Sequence, residues 1–135
     1  MSIYSVITGT GSCIPEKVVK NEDFLQNEFY DNSGEKIATP TSQIIEKFRE
    51  ITTIESRRHV TDEQSTSDLA KIAAERAIES SGIDREELDY VIVAHNFGET
   101  HADNKRVSVL PIVSALLKQK LGIRNPGAVA YDILF

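Results

Sequence analysis

The sequence predicts an α/β fold in which helices cover a mostly parallel sheet. The run "YVIVA" (90–94) is continuously apolar, which is typical of a central strand buried on both faces. The segment "TSDLAKIAAERAIESSG" (66–82) has the polar start, alanine-rich body and closing glycine of a helix. Predicted elements follow the order strand, helices, strand, helix, strand, which favours parallel pairing and right-handed crossovers.

The first part of the chain predicts one strand and two helices. "IYSVITGTG" (3–11) is rich in β-branched residues before its glycines, so it predicts a strand that ends in a turn. Asn21 is a good capping residue and precedes "EDFLQNEF" (22–29), a predicted short helix. Glycine, proline and polar residues predict a loop over 30–42, and "QIIEKFREI" (43–51) places its apolar residues on one side of a second helix.

The middle of the chain contains the strongest helix signal. "TTIESRRHV" (52–60) predicts a short extended piece. The long helix that follows begins at Thr66 or Ser67, whose hydroxyls can cap its first turn, and Gly82 closes it.

The last part of the chain predicts a helix and a strand. The helix begins near Leu110, because Pro111 is tolerated in a first turn but would break a helix interior. The closing run "GAVAYDILF" (127–135) predicts a buried strand in which Asp132 is the only charged residue. The 135 residues fit one domain, 1–135.

Composition restricts the classes of function. The formal net charge of −6 disfavours nucleic acid as a partner, since phosphate binding needs a basic face. No apolar run is long enough to span a bilayer, and the first residues lack the features of a signal peptide, so a cytoplasmic location is expected. Cys13 is the only cysteine, which excludes an internal disulfide.

Two features near the N-terminus suggest a nucleotide-binding loop and a reactive cysteine, but the surrounding sequence supports neither. "GTGS" (9–12) resembles part of a dinucleotide loop, but the third glycine is missing and Pro15 intervenes before any helix. Cys13 has no histidine or helix start nearby to lower its thiol pKa. We therefore interpret the glycines as a turn and the cysteine as a structural residue.

A polar loop follows the "YVIVA" strand. It contains the metal-ligand residue types His95, Glu99, His101 and Asp103 at a sheet edge where α/β proteins place ligands. Their spacing matches no compact metal motif. The alternative is a polar surface or interface loop, and no metal site is predicted.

The basic residues Arg57 and Arg58 precede His59 in an otherwise acidic chain. Guanidinium groups suit phosphates, including those of coenzyme A, and the alternative is pairing with the chain's own carboxylates. No Cys–His pair, Ser–His–Asp pattern or convincing carboxylate pair is visible, so the residues alone define an α/β domain without a catalytic set.

Several blocks together resemble one family. The sequence is similar to 3-oxoacyl-acyl-carrier-protein synthase III, the initiating condensing enzyme of fatty-acid synthesis, over nearly the whole chain. The blocks are, in order, "GTGSCIPEKVVKNEDF", "TTIESRRHVTDEQSTSDLAKIAAERAIESSGID", "ELDYVIVA", "LPIVSALLKQKLGI" and "AVAYDILF".

The resemblance implies a thiolase fold, which has two similar α/β halves, and an acyltransferase activity. In the family the catalytic cysteine follows the strand that corresponds to "AVAYDILF" (128–135), and the histidine and asparagine lie in the second half. The chain is then the N-terminal portion, 1–135, truncated before the nucleophile and inactive alone. No catalytic residue is predicted within it, and Cys13 is not a substitute.

The resemblance also implies substrates and partners. These are an acyl-CoA primer and malonyl-acyl-carrier protein, with the coenzyme A thioester as substrate, no further cofactor, and a homodimer. Leu110 corresponds to the residue that bounds the partner's acyl pocket across the dimer. Arg49 is a further basic candidate for a coenzyme A contact, beside Arg57 and Arg58.

Two departures from the family pattern leave an alternative open. The insertions at 30–42 and 95–108 put an acetyl-CoA primer in doubt and favour another acyl donor. The alternative function is a non-catalytic α/β module that binds a partner through the loop 95–106.

Overall fold

The computed structural model describes residues 4–101 and 106–135, and the chain divides into two compact units. The first unit comprises residues 1–15 and 60–135, and the second unit comprises residues 16–59. In chain order the elements are β1 (Lys17–Lys20), a 3₁₀ helix (Asn21–Phe24), α1 (Thr41–Thr52), β2 (Ser56–His59), α2 (Thr66–Ser81), a 3₁₀ helix (Arg85–Glu87), β3 (Tyr90–His95), β4 (Glu99–Thr100), β5 (Val107–Ser108), α3 (Val113–Lys120) and β6 (Val129–Leu134). No helix in the described part of the chain is long and apolar enough to cross a membrane.

The second unit is built on the antiparallel pair β1–β2, in which Lys17 lies opposite His59. Helix α1 forms over the range that its apolar spacing predicts, and Phe48 on it makes an edge-to-face contact with Phe29, with ring centroids 5.8 Å apart. The predicted extended piece at 52–60 is confirmed in its second part, where β2 forms.

The prediction of a helix over 22–29 is wrong beyond its first turn, because only the 3₁₀ helix forms there. Asn21 does not cap it. The Asn21 side-chain amide instead donates to the carbonyl of Ile54 at 2.7 Å, and its backbone N–H donates to Glu55 at 3.2 Å. The Asn21 side chain, which the sequence assigns to helix capping, is therefore used in a bond to the segment between α1 and β2.

The first unit has its core where α3 packs on the parallel pair β3–β6. The buried cluster is Val91, Leu117, Leu121, Ile123 and Ala128. Partly buried side chains of α2 pack against this cluster, which explains the small residues along that helix. The three described sheets each have two strands, and β3–β6 is the parallel one.

Helix α2 confirms the strongest prediction of the sequence. The N-cap lies one residue earlier than expected, because Ser65 rather than Thr66 or Ser67 caps the helix. Ser65 forms a capping box with Asp68. Gly82 ends the helix with φ of 70°, a left-handed conformation that glycine adopts without steric cost.

The predicted strand at 3–11 is not formed, because residues 4–15 adopt neither helix nor strand. Tyr4, Val6 and Ile7 are exposed, so the apolar pattern that predicts the strand finds no buried face. A strand also needs hydrogen bonds from a partner strand, and the sequence pattern alone does not supply one.

Two further predictions need correction. The run at 90–94 forms β3 but is buried on one face only: Val91 is buried, whereas Tyr90 and Ile92 are exposed. The last helix begins at Val113 rather than near Leu110, because the backbone N–H groups of its first turn are bound by a carboxylate from β6.

Candidate functional site

The strand ends of the first unit are joined by a histidine and an aspartate. His95, the last residue of β3, lies with its Nε2 atom 2.8 Å from Oδ2 of Asp132 in β6. The backbone N–H of Gly98 donates to Nδ1 of the same ring at 2.8 Å. Because Nδ1 is an acceptor, the ring proton lies on Nε2 and donates to the carboxylate, which identifies a neutral tautomer. The two side chains are only 10% and 9% exposed.

The Asp132 carboxylate also caps helix α3. The backbone N–H groups of Val113 and Ser114 donate to its Oδ2 and Oδ1 atoms, each at 2.8 Å. Burial alone would raise the pKa of Asp132, but hydrogen bonds from Ser114, His95 and Val113 outweigh it and hold the pKa at about 2. The carboxylate is therefore charged at neutral pH, and its donors fix it in place.

A second buried carboxylate caps helix α2. Glu99 in β4 is 3% exposed and accepts from the N–H of Ser67 at 2.9 Å and from its hydroxyl at 2.6 Å. Burial favours the neutral acid, yet hydrogen bonds from Ser65 and Ser67 outweigh that effect and lower the pKa of Glu99. This bond ties the β4–β5 hairpin to the start of α2.

An ion pair joins the C-terminal end of α3 to the first turn of α2. Lys120 donates to Asp68 at 2.5 Å, and the hydroxyl of Ser65 donates to Asp68 at 2.7 Å. The Lys120 hydrogen bond, followed by that of Ser65, lowers the pKa of Asp68 to about 2. The acidic residues of this region thus hold helices and strands together and have no proton to donate at neutral pH.

The metal-ligand residue types of the polar loop do not converge. His95 and Glu99 are bound to Asp132 and Ser67, respectively, and His101 lines a separate groove beside Thr100. In residues 4–101 and 106–135, no three His, Cys, Asp or Glu side chains lie close enough together to hold a metal ion. Asp103 lies outside the described residues.

The glycines of "GTGS" face a helix. A Cβ atom at Gly9 would lie 2.5 Å from the carbonyl oxygen of Ala77, and one at Gly11 would collide with the carbonyl of Ala73. The close approach that these glycines allow is therefore to the backbone of α2, which accounts for them without a nucleotide. The Cys13 thiol beside them is half-buried and forms no disulfide.

The three arginines predicted to contact phosphate lie in the second unit and point to different surroundings. Arg57 stacks on the ring of Phe24 at 5.2 Å and donates to Asn21, in the wall of an apolar cavity of about 370 Å³. Arg58 donates to the carbonyl of Glu16 at 3.0 Å.

The third arginine, Arg49, forms two hydrogen bonds with Glu46, of 3.0 and 2.5 Å. It lines a polar cavity of about 510 Å³, whose walls also include Lys20 and the acidic Glu22 and Glu55. Each of the three arginines thus donates hydrogen bonds within the chain, and Arg49 and Arg57 line different cavities.

Leu110 lies between the β4–β5 hairpin and α3. Its side chain is 76% exposed, and its backbone carbonyl accepts a hydrogen bond from the hydroxyl of Ser108 at 2.8 Å. An exposed leucine held by backbone contacts is available to contact another surface.

Sequence reasoning missed the parts played by Asp132 and Ser67. For Asp132 a signal was present, because it is the one charged residue in an apolar strand, and a buried charge needs donors. For Ser67 the sequence suggests only a cap, and its bond to Glu99, 32 residues away, depends on the fold.

Comparisons with known proteins agree on one class. The chain resembles solved structures with the thiolase-like fold: the 3-oxoacyl-[acyl-carrier-protein] synthase III of Aquifex aeolicus (TM-score 0.65, 25% identity, 96% of this chain and 34% of that one) and a single-substitution variant of OleA from Xanthomonas campestris (TM-score 0.69, 16% identity, 96% and 33%). The predicted thiolase-like α/β fold is confirmed.

Sequence comparison narrows the class. No family model matches the chain. Over 131 residues, 97% of this chain, it is 37% identical to the beta-ketoacyl-[acyl-carrier-protein] synthase III of Xanthomonas campestris pv. campestris and 35% identical to that of Xanthomonas oryzae pv. oryzae. The predicted resemblance is confirmed: the chain is similar to the N-terminal part of beta-ketoacyl-[acyl-carrier-protein] synthase III. It spans 33% of the length of these curated relatives.

Proposed function

We propose that the chain is the N-terminal part of a condensing acyltransferase, which joins an acyl-CoA primer to malonyl-acyl-carrier protein. The observation that carries the proposal is the 37% identity to beta-ketoacyl-[acyl-carrier-protein] synthase III over 97% of the chain. The thiolase-like fold supports it independently, at a TM-score of 0.65 to a synthase III structure.

The proposed reaction has two stages. A cysteine thiolate attacks the thioester carbon of acyl-CoA, so that a new S–C bond forms and the coenzyme A thiolate leaves. Loss of carbon dioxide from malonyl-acyl-carrier protein then produces a carbanion, which attacks the acyl-enzyme and expels the cysteine thiolate. In the family this cysteine follows the strand that corresponds to β6, and Cys13 does not take its place.

The residues of this chain contribute to binding in this proposal. Leu110 bounds the acyl pocket of the partner subunit in a homodimer, which its exposed side chain supports. Arg49, Arg57 and Arg58 are the candidate contacts for the phosphates of coenzyme A or of the carrier's phosphopantetheine arm. For Arg57 and Arg49, this role requires that the bonds to Asn21 and Glu46 are exchanged for phosphate oxygens.

Assay of two purified proteins tests the proposal: the 135-residue chain, and the product of the complete reading frame that contains it. We expect transfer of a radiolabelled acyl group from acyl-CoA to protein, followed by condensation with malonyl-acyl-carrier protein, for the complete product only. Cys13→Ala in the complete product is the matched control and retains activity. A reading frame that stops after Phe135, or loss of acyl transfer in Cys13→Ala, contradicts the proposal and favours a binding module.

A further inference from the structure

His95 and Asp132 together contact both ends of the hairpin region that carries Leu110. Where the chain enters the hairpin, His95 Nδ1 accepts from the N–H of Gly98, which directly precedes β4, at 2.8 Å. Where the chain leaves it, Asp132 accepts from the N–H of Val113, the first residue of α3, at 2.8 Å. The two side chains are bonded to each other at 2.8 Å, so one partly buried pair spans the base of the hairpin.

On the side that leads to Leu110, the base of the hairpin is connected by strand pairing and a hydrogen bond. Glu99 pairs with Ser108 across β4–β5, and the hydroxyl of Ser108 donates to the carbonyl of Leu110 at 2.8 Å. Gly98 lies close to β5, because a Cβ atom there would be 2.7 Å from the carbonyl oxygen of Ser108. Displacement of Gly98 is therefore transmitted to the backbone that holds Leu110.

We propose that His95 and Asp132 are positioning residues that fix Leu110 and thereby set the acyl-chain preference of the condensing reaction. This inference rests on the proposed function, in which Leu110 bounds an acyl pocket. The pair touches no reacting atom; it acts through the backbone at Gly98 and Val113. The two side chains are only 10% and 9% exposed, so solvent has little access to their hydrogen bonds.

Substitution of His95 is expected to preserve the fold. The hairpin is also attached to α2, because Glu99 binds Ser67 and the hydroxyl of Thr66 donates to the carbonyl of Gly98 at 2.9 Å. Loss of the histidine therefore loosens the position of Gly98 without releasing the hairpin.

Two substitutions separate the two bonds of the ring. In His95→Asn, the amide oxygen can replace Nδ1 and accept from Gly98, but the bond to Asp132 is lost. In His95→Gln, the amide nitrogen can replace Nε2 and donate to Asp132, but the bond to Gly98 is lost. His95→Ala removes both, and His101→Asn is the control, a substitution of an exposed histidine in the same hairpin.

The first measurement is hydrogen–deuterium exchange of the complete reading-frame product. We expect exchange at Gly98 to be about tenfold faster in His95→Gln and His95→Ala, the factor that corresponds to the loss of one hydrogen bond. Exchange in His95→Asn and in the His101→Asn control stays at the level of the unsubstituted protein. Equal exchange in all five proteins overturns the inference that His95 holds Gly98 in place.

The second measurement is the ratio of kcat/KM for a short and a long acyl-CoA primer. We expect His95→Ala to change this ratio about tenfold, in the way that Leu110→Phe, the positive control, also changes it. His95→Asn and His95→Gln also change this ratio, because each breaks one of the two hydrogen bonds through which His95 joins Gly98 to Asp132. If His95→Ala lowers activity equally with both primers, the role of His95 is only structural, which overturns the proposal.

The two measurements distinguish the failure of this inference from that of the proposed function. If the unsubstituted protein transfers no acyl group, the proposed function fails and the preference role fails with it, while exchange still reports on whether His95 holds Gly98 in place. If the protein is active and the ratio changes in Leu110→Phe alone, the proposed function stands and the positioning role is overturned.

Discussion

The carboxylate of Glu99 accepts two hydrogen bonds from Ser67, one from the backbone N–H at 2.9 Å and one from the hydroxyl at 2.6 Å. The carboxylate lies at the N-terminal end of α2, where unpaired N–H groups and the helix dipole favour a negative charge. Asp132 makes the corresponding contacts at the start of α3. Helices α2 and α3 are therefore each attached to a strand through a carboxylate, which is buried in Glu99 and partly buried in Asp132.

Glu99→Gln is expected to lower the free energy of unfolding by about 1–2 kcal/mol, because neutral amide groups form weaker hydrogen bonds to the helix start. Urea denaturation at neutral pH measures the difference. Glu79→Gln, at an exposed position of the same helix, is the matched control and is expected to change stability by less than about 0.5 kcal/mol. Equal losses in the two variants would show that the Ser67 contact contributes nothing specific.

Asp132 predicts a loss of stability in acid. Its pKa in the folded state is about 2, below the usual value of 3.8, so the folded state binds its proton less readily than the unfolded state. The stabilisation is complete above about pH 4 and is lost as the pH falls toward 2, with a total of about 2 kcal/mol. Unfolding free energies measured over this range are expected to fall less steeply in Asp132→Asn. An unchanged slope in the variant would contradict the prediction.

Gly9→Ala is expected to destabilise the first unit by about 2 kcal/mol or more, because the added methyl group meets backbone atoms that cannot move aside. The carbonyl oxygen of Ala77 would lie 2.5 Å from it and the backbone nitrogen of Ser81 2.6 Å. Gly127→Ala is a milder control, since its methyl group meets the side-chain oxygen of Asn125 at 3.1 Å. Thermal unfolding compares the two. Similar melting temperatures would show that residues near Gly9 do not pack as described.

The isolated 135-residue chain is expected to self-associate through one face of β3–β6. Tyr90, Ile92, Tyr131 and Ile133 alternate onto this face and are between 41% and 62% exposed. Large exposed apolar faces drive association. Size-exclusion chromatography with light scattering is expected to detect oligomers that decrease in Ile92→Lys.

The control for this experiment is Ile83→Lys, the same substitution at an exposed isoleucine outside the sheet. It is expected to leave the oligomers in place. A monomeric unsubstituted chain that unfolds cooperatively would contradict the prediction.

Local signals predicted the elements whose stability is local. Helix α2 carries its own cap, alanine-rich body and closing glycine, so its range was predictable to within a residue. The strand predicted at 3–11 failed because strand formation depends on a partner that the pattern does not name. The helix predicted at 22–29 failed because Asn21 donates its amide to Ile54, a contact across 33 residues.

The candidate site was predictable in its residue types and not in its connections. His95 was identified as a chemically versatile residue at a strand end, and the fold pairs it with Asp132 rather than with a metal. The phosphate role of Arg57 stays a prediction, since the structure places this residue on the ring of Phe24.

The sequence by itself determined the α/β class, the long helix, the position of the closing strand and the family resemblance, because these depend on periodicity, capping and ordered motifs along the chain. The prediction that the closing strand is buried is wrong, since Val129, Tyr131 and Ile133 are between 41% and 50% exposed. Only the tertiary structure decided that Asp132, His95 and Gly98 form one hydrogen-bonded unit. That unit joins groups 37 residues apart, and a buried carboxylate is stable only where the fold brings donors to it.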